Sequence, residues 1–229
     1  MSGIVPGRWI ARPPDPATLA ARRGTLTIEV VSHCWQYAHL LGYQLSSLVN
    51  FPPTRARVRM TVFHALEDAR VSDLLAYFGS IQVPGVTWNW QSLPPGELFR
   101  RSIGRHRAAR ATPADWVWFA DCDILFHRDC MDTLADRLQG RQDPLVYPKE
   151  ERVTAMLEET DPLLVAERDR PRVVDIDPGQ FKLLPNPPRA KGAYQIVHGD
   201  VARQGGYCGQ LPVFQRPAER WSKTYEDSA

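Results

Sequence analysis

Short apolar runs rich in β-branched and aromatic residues alternate along this chain with segments whose apolar residues recur at helical spacing. The apolar runs predict strands over residues 25–32, 57–63, 86–90, 115–120, 144–147 and 193–198. The segments of helical spacing predict helices over residues 39–51, 71–78, 95–112 and 132–138. This alternation predicts right-handed βαβ units, and therefore an α/β fold with a mainly parallel central sheet flanked by helices on both faces.

The fourth predicted strand is apolar from Trp116 to Ala120, which is typical of a strand at the centre of a covered parallel sheet. Two acids, Asp121 and Asp123, follow it directly with Cys122 between them. Ligands bind beyond the carboxyl ends of strands in open α/β sheets, and carboxylate oxygens suit Mg²⁺ and Mn²⁺. The run predicts a site for a divalent cation with a nucleotide diphosphate. A turn or a helix N-cap is the alternative, since aspartate suits both.

Composition and charge argue against two classes of protein. The 229 residues hold 28 Lys and Arg against 26 Asp and Glu, so the net charge of +2 does not indicate nucleic-acid binding by bulk charge. No segment has the roughly 18 apolar residues of a transmembrane helix, and the N-terminus lacks the apolar stretch of a secretion signal. The four cysteines show neither a CxxC pair nor zinc-ligand spacing, which favours free thiols in a reducing cytoplasm. Residues 1–24 are broken by prolines and predict an arm or loop.

The middle of the chain resembles a known family. Residues 104–123 resemble the family 2 glycosyltransferases of GT-A fold, whose pattern is a helix with an Ala-Arg-Asn motif, an apolar strand and an Asp-x-Asp motif. The family's arginine falls on Arg105, whereas its asparagine position holds His106. Weaker matches extend the resemblance over roughly residues 25–227 and consist of the Ser-Leu pattern in residues 39–48, the turn Gly205-Gly206-Tyr207, and Trp221 with Glu226-Asp227.

The resemblance implies a domain organisation and a reaction. It implies one GT-A domain with a Rossmann-like sheet over residues 25–229, in which residues 25–123 bind the nucleotide sugar and residues 124–229 bind the acceptor. The implied reaction is inverting, metal-dependent transfer of a hexose-like sugar from a nucleoside diphosphate sugar to a hydroxyl of a carbohydrate or other acceptor. The expected donor is a UDP-sugar, and the expected cofactor is Mn²⁺ or Mg²⁺. We expect a cytoplasmic protein, with a peripheral position at the inner face of the membrane as the alternative.

The resemblance also implies roles for acidic and basic residues. Asp123 would coordinate the metal directly, and Asp121 would lie beside the ribose or a metal-bound water. Arg105 would hold a phosphate through its guanidinium fork, unless it belongs to a solvated basic helix face. The inverting reaction needs a base for the acceptor hydroxyl. That role falls on Asp227, with Glu226 as its neighbour, and a frayed acidic terminus is the alternative.

Further candidates lie near the ends of predicted strands. Trp35 and Tyr37 follow the first strand and either stack on the nucleotide base or pack in the core. The family's acid after the second strand, which binds base and ribose, is displaced or replaced here, and Asp68 is the candidate. His198 is either a third metal ligand or a histidine of the core or a loop.

Two other functions fit parts of the sequence. A sugar nucleotidyltransferase is built on a related sheet, but residues 32–37 lack the glycines of its phosphate-binding loop. A non-catalytic carbohydrate- or protein-binding module on a degenerate GT-A fold would account for the altered loop after the second strand. Metal-dependent hydrolysis of a UDP-sugar without an acceptor separates an enzyme from such a module.

Overall fold

The computed structural model describes residues 14–158, 160–165, 170–185 and 191–221. Its strands are β1 (Thr27–His33), β2 (Arg57–His64), β3 (Val86–Ser92), β4 (Trp116–Phe119), β5 (Leu145–Val146), β6 (Glu150–Val153), β7 (Lys182–Pro185) and β8 (Gln195–His198). Its α-helices are α1 (Ala38–Asn50), α2 (Ala69–Gly79), α3 (Pro95–Leu98), α4 (Arg101–Ala111), α5 (Cys130–Leu138), α6 (Pro162–Val165) and α7 (Gly199–Gly205). Among these described segments, no helix combines the length and apolar character that crossing a bilayer requires.

Six strands form one sheet in the order β3-β2-β1-β4-β8-β5. β1 pairs in parallel with β2 and with β4, and β2 pairs in parallel with β3. β8 runs antiparallel to both of its neighbours, β4 and β5. β6 and β7 form a separate antiparallel pair. The predicted α/β fold with a mainly parallel central sheet is confirmed.

Alternate residues of the central strands supply two apolar layers, as expected for a sheet covered on both faces. On one face, Ile28 and Val30 of β1 pack with α1, α2 and α5. On the other face, Val31 of β1 and Phe119 of β4 pack with α3, α4 and α7. All four residues of β4 are buried, in agreement with its uninterrupted apolar run.

Two predicted elements are divided in the structure. The predicted helix over residues 95–112 consists of α3 and α4, because Arg100 has φ −100° and ψ 87°, outside the helical region. The predicted strand over residues 193–198 begins only after a 3₁₀ turn at Gly192–Tyr194. The antiparallel pair of β6 and β7 was not predicted, since the prolines of residues 148–190 interrupt any regular pattern.

The described part of the predicted arm, residues 14–24, packs against the domain. Leu19 is buried. The backbone N–H and carbonyl of Gly24 make hydrogen bonds of 2.9 and 2.8 Å with the side-chain amide of Gln139, which follows α5. This stretch is therefore held against α5, while residues 1–13 lie outside the described part of the chain.

Candidate functional site

Asp121-Cys122-Asp123 lies just beyond the carboxyl end of β4, where the central strand opens into a cleft of about 1290 Å³. Both acids line this cleft, whereas Cys122 is buried in the core. The loop is held from α1, because Nε2 of Gln44 donates to the carbonyl oxygens of Asp121 and Ile124, each at 2.9 Å. The structure thus places the two acids side by side in the cleft.

Two arginines of α4 face Asp121. Nη1 of Arg101 lies 2.6 Å from Oδ1 of Asp121, and Nη2 of Arg105 lies 3.4 Å from the same oxygen. Arg101 lines the cleft with 19% of its side chain exposed, while the side chain of Arg105 has no exposed surface. Arg101 is therefore the arginine of this pair that a bound anion can reach. The sequence did not single it out, because several arginines share this helix.

Arg105 is a buried support beneath the acidic pair. It donates from Nη1 to Oη of Tyr207 at 2.9 Å and from Nη2 to the carbonyl oxygen of Gly192 at 3.2 Å. Its guanidinium lies 5.8 Å from the ring centre of Phe119. A buried guanidinium with these partners orients Asp121. The phosphate contact implied by the resemblance requires an exposed surface that Arg105 lacks in this structure.

Asp123 is the more accessible acid of the pair. The walls of the cleft still withdraw water from its carboxylate, and this burial raises its pKa. The charge of Asp121 raises the pKa further, against smaller opposing effects of a backbone hydrogen bond and of Arg101. A bound cation favours the ionised form of such a group. Two carboxylates on one wall suit Mg²⁺ or Mn²⁺, which keep several waters and take further ligands from substrate phosphates.

His198 does not join the acidic pair. It lies opposite Trp116, the first residue of β4, because β8 runs antiparallel to β4, and the acids follow the other end of that strand. Its ring is buried, and Nδ1 accepts the backbone N–H of Asp200 at 3.2 Å at the start of α7. The prediction of His198 as a third metal ligand is therefore wrong. In the described ranges, no group of three or more His, Cys, Asp or Glu side chains could hold a metal ion.

The cleft is also lined by Tyr194, Glu151 and Lys191, which the sequence did not single out. Nζ of Lys191 pairs with the carboxylate of Glu151. Burial raises the pKa of Tyr194, and the charges of Glu151 and of the acidic pair raise it further. A hydrogen bond to the carboxylate of Glu151 also raises the pKa, so the hydroxyl of Tyr194 stays protonated and is engaged by Glu151. The feature that could have identified Tyr194 is its position just before β8, the strand that pairs with β4.

The loop after β1 carries the aromatic candidates. Trp35 packs edge-on against Phe99 with ring centres 5.1 Å apart, whereas 42% of Tyr37 is exposed. Asp68 is buried, caps α2 through Oδ1, and accepts the backbone N–H of Gln36 at 2.5 Å through Oδ2. Asp68 therefore shapes this loop, and Tyr37 offers its most accessible aromatic surface.

The turn at Gly206 and Tyr207 is joined to α4 by His106. Nδ1 of His106 accepts the backbone N–H of Tyr207 at 3.2 Å. Gly206 has φ 66°, and a β-carbon there would overlap the His106 ring. Two stretches that resemble the family 2 glycosyltransferases are therefore in contact. At the position where that family has asparagine, the imidazole of His106 accepts the hydrogen bond.

The expected base, Asp227, and its neighbour Glu226 lie outside the described residues. The described chain ends at Trp221, whose ring lies edge-on to Phe99 with centres 6.2 Å apart. Phe99 also contacts Trp35 of the loop after β1. Trp221 therefore lies close to the loop after β1.

His33, the last residue of β1, is buried on the α4 side of the sheet. Neither ring nitrogen has a hydrogen-bond partner among the described residues, and the ring stacks on Phe63 with centres 4.9 Å apart. Burial lowers its pKa, and the positive charges of Arg105 and Arg101 lower it further. The ring is therefore neutral and fills space under α4, where Gly104 leaves room for it.

Gly104→Ala should lower the free energy of unfolding by about 1–3 kcal/mol, the usual cost of overpacking a core. A β-carbon at position 104 would overlap Nε2 of His33 and lie 3.0 Å from Cδ2 of Phe63. The sign of this change in the free energy of unfolding is informative, because alanine normally stabilises a helix interior by about 1 kcal/mol relative to glycine. Urea unfolding measures the difference.

Gly205→Ala is the matched control for this experiment. Gly205 is also a helical glycine, in α7, but its β-carbon position has no described neighbour within 4 Å. We expect it to be neutral or slightly stabilising. An unchanged unfolding midpoint in the Gly104→Ala variant would mean that His33 does not pack against α4.

Comparisons with known proteins assign no family to this chain. No family model matches it, and no curated protein matches it. Among solved structures, a crystal structure of residues 1–349 of TarS from S. aureus is similar, with a TM-score of 0.46 and 12% sequence identity. The match covers 58% of this chain and 38% of that chain. At this level the similarity determines neither family nor function.

Proposed function

We propose that this protein is a metal-dependent glycosyltransferase that moves a sugar from a nucleoside diphosphate sugar to an acceptor hydroxyl with inversion. The placement of Asp121 and Asp123 side by side beyond the central strand carries this proposal. Their cleft of about 1290 Å³ has room for a nucleotide sugar, since small-molecule sites usually measure roughly 300–1,000 Å³. The resemblance of residues 104–123 to the family 2 glycosyltransferases supports the same reaction.

In the proposed complex, Asp123 is the direct protein ligand of a divalent cation. Such a cation offsets repulsion between the acids and the diphosphate, and it stabilises the charge on the departing diphosphate. Asp121, held by the arginines of α4, contacts the ribose or a metal-bound water. Arg101 adds positive charge at the accessible rim. We place the nucleotide base at the loop after β1, where Tyr37 or Trp35 stacks on it. UDP is the best probe of this site.

The transfer itself requires a proton acceptor near the acceptor hydroxyl. The hydroxyl oxygen attacks the anomeric carbon opposite the diphosphate, its proton passes to a carboxylate, and the bond to the diphosphate breaks. Asp227, with Glu226 beside it, remains the proposed base. The position of Trp221 near the loop after β1 is compatible with this role, and Glu151 of the cleft is already paired with Lys191.

A thermal-shift screen of nucleotides tests the donor site, because a ligand that binds only the native state raises Tm. We expect UDP with Mn²⁺ to raise Tm by more than either one alone. At 100 times Kd the stabilisation is about 2.7 kcal/mol, which such a screen detects readily. An identical Tm with UDP, GDP and ADP, each with and without Mn²⁺ or Mg²⁺, would overturn the proposal.

Donor hydrolysis separates an enzyme from a binding module. UDP-glucose, UDP-galactose and UDP-N-acetylglucosamine are each incubated with Mn²⁺ and no acceptor, and released UDP is measured by chromatography. We expect slow release from at least one donor, which stops when EDTA removes the metal. Metal-dependent UDP binding without release from any donor would instead favour a non-catalytic module.

A further inference from the structure

A second cavity of about 1160 Å³ lies on the α1 and α5 side of the sheet. We call it the side chamber and define it by the lining residues Ser47, Trp118, Phe126, Leu134, Tyr194 and Ile196. Asp123 and Tyr194 line both the side chamber and the cleft. A molecule in the side chamber can therefore extend to the acidic pair.

The floor of the side chamber is apolar. Trp118 of β4, Ile196 of β8 and Val146 of β5 belong to the sheet, and Phe126 belongs to the loop that follows the acids. Phe126 stacks edge-on against Trp118 with ring centres 5.4 Å apart. These side chains all belong to, or pack against, the main core cluster. Trp118, Phe126 and Ile196 expose little surface of their own, so the apolar surface that an occupant would remove from water lies mainly on Leu134, Val146 and Tyr147. Burial of that surface favours a hydrocarbon or aromatic body.

One face of α5 forms a wall of the side chamber. Its lining residues follow helical spacing and are Cys130, Thr133, Leu134, Arg137 and Leu138. From Cys130 to Leu138 the helix rises about 12 Å, at roughly 1.5 Å per residue. The wall is thus long enough for an extended body, and it changes from apolar to basic toward the end of the helix.

Charge is distributed unevenly along the side chamber. Asp123, Glu151 and Arg152 line it where it meets the cleft, whereas the charged side chains at the end of α5, Arg137 and Arg141, are both basic. Nε of Arg141 pairs with Asp143 at 2.8 Å, and Arg137 is exposed. A ligand that matches this pattern has a neutral polar group at the cleft end, where charges of both signs meet, and an anionic group at the basic end.

We propose that the side chamber binds the apolar body of an amphipathic acceptor, whose hydroxyl reaches Asp123 and whose anionic group lies near Arg137. The position of the hydroxyl rests on the proposed glycosyl transfer, but binding of the apolar body and the anion does not. The acceptor class is therefore a hydroxylated molecule with a long apolar body and a carboxylate or phosphate at its far end.

The probe for this proposal is 12-hydroxydodecanoate, which has a hydroxyl, a hydrocarbon body and a carboxylate. Its affinity is measured by calorimetry without nucleotide or metal, beside that of 1,12-dodecanediol. We expect saturable binding of both, with the diol about fivefold weaker because it lacks a partner for an exposed arginine. Absence of saturable binding for either probe would overturn the proposal.

Two variants locate the binding. Arg137→Glu should weaken the hydroxy acid about fivefold or more and leave the diol unchanged. Leu134→Trp narrows the side chamber at the wall formed by α5 and should weaken both probes, with thermal melts of each variant confirming a folded protein. Arg107→Glu is the matched control, because Arg107 is also an exposed helical arginine but does not line the side chamber. Equal affinities in wild type and in both folded chamber variants would place the binding elsewhere.

Glycosyl transfer to the probe separates the two proposals. The probe is incubated with Mn²⁺ and UDP-sugars, and its glycoside is sought by mass spectrometry. Binding that is sensitive to Arg137→Glu but gives no glycoside supports the side chamber and contradicts the position of the hydroxyl. Glycoside formation that is insensitive to both chamber variants supports glycosyl transfer and overturns the side chamber as acceptor site.

Discussion

Asp123→Ala should abolish the Mn²⁺-dependent part of UDP binding, with a loss in affinity of at least about 100-fold. The carboxylate is the accessible member of the pair and is the proposed direct ligand of the cation. Without it, the cation would keep a single protein carboxylate, Asp121, which is already engaged by Arg101 at 2.6 Å. Calorimetric titration with UDP, in the presence and absence of Mn²⁺, measures the loss.

The same substitution should leave the fold unchanged. Burial and the charge of Asp121 both raise the pKa of Asp123, so its removal relieves an unfavourable charge in the absence of metal. We therefore expect an equal or slightly higher urea midpoint. Asp136→Asn removes an exposed carboxylate far from the cleft lining and serves as the control. Unchanged UDP affinity in Asp123→Ala with Mn²⁺ present would contradict the metal site.

Arg105→Ala should lower the free energy of unfolding by about 3 kcal/mol, as large-to-small changes in a core do. The side chain has no exposed surface and supports Tyr207, Gly192 and Asp121 through hydrogen bonds or ion pairing. Its removal leaves a cavity and takes away the hydrogen bond that Arg105 donates to the buried hydroxyl of Tyr207. Asp121 retains Arg101 and solvent, so the effect arises mainly from packing and the lost hydrogen bonds.

Two further variants separate these contributions. Arg105→Met restores most of the volume and should recover part of the stability but not the hydrogen bond to Tyr207. Arg107→Ala, on the same helix with half of its side chain exposed, should change the free energy of unfolding by less than about 0.5 kcal/mol. Equal free energies of unfolding for Arg105→Ala and Arg107→Ala, measured by urea unfolding, would contradict the buried role of Arg105.

The sequence was most informative where pattern and burial coincide. The run from Trp116 to Phe119 is apolar on both faces, and it is the fully buried strand that leads to the acidic pair. The order of the four arginines between positions 101 and 110 could not show which one faces inward. Their helix begins only at Arg101, after a break at Arg100, and this break sets which side of the helix meets the sheet.

Strand direction explains the error at His198. A four-residue apolar strand has the same sequence pattern whether it runs parallel or antiparallel to its neighbour. Because β8 runs against β4, its carboxyl end lies beside Trp116 and its amino end lies beside Phe119. Tyr194, which precedes β8, therefore reaches the cleft, while His198 does not.

The antiparallel direction of β8 also determines which of its two connectors lines the cleft. An insertion ahead of Gln195 would displace Tyr194 and the Gly192 carbonyl, and with them the support of Asp121 through Arg105. An insertion after β8 would act through α7 and the turn at Gly206 and Tyr207, and would reach Asp121 only through the contact of Tyr207 with Arg105. Length variation in the connector before β8 therefore changes the lining of the cleft directly, through Tyr194, whereas variation in the connector after β8 acts on it indirectly.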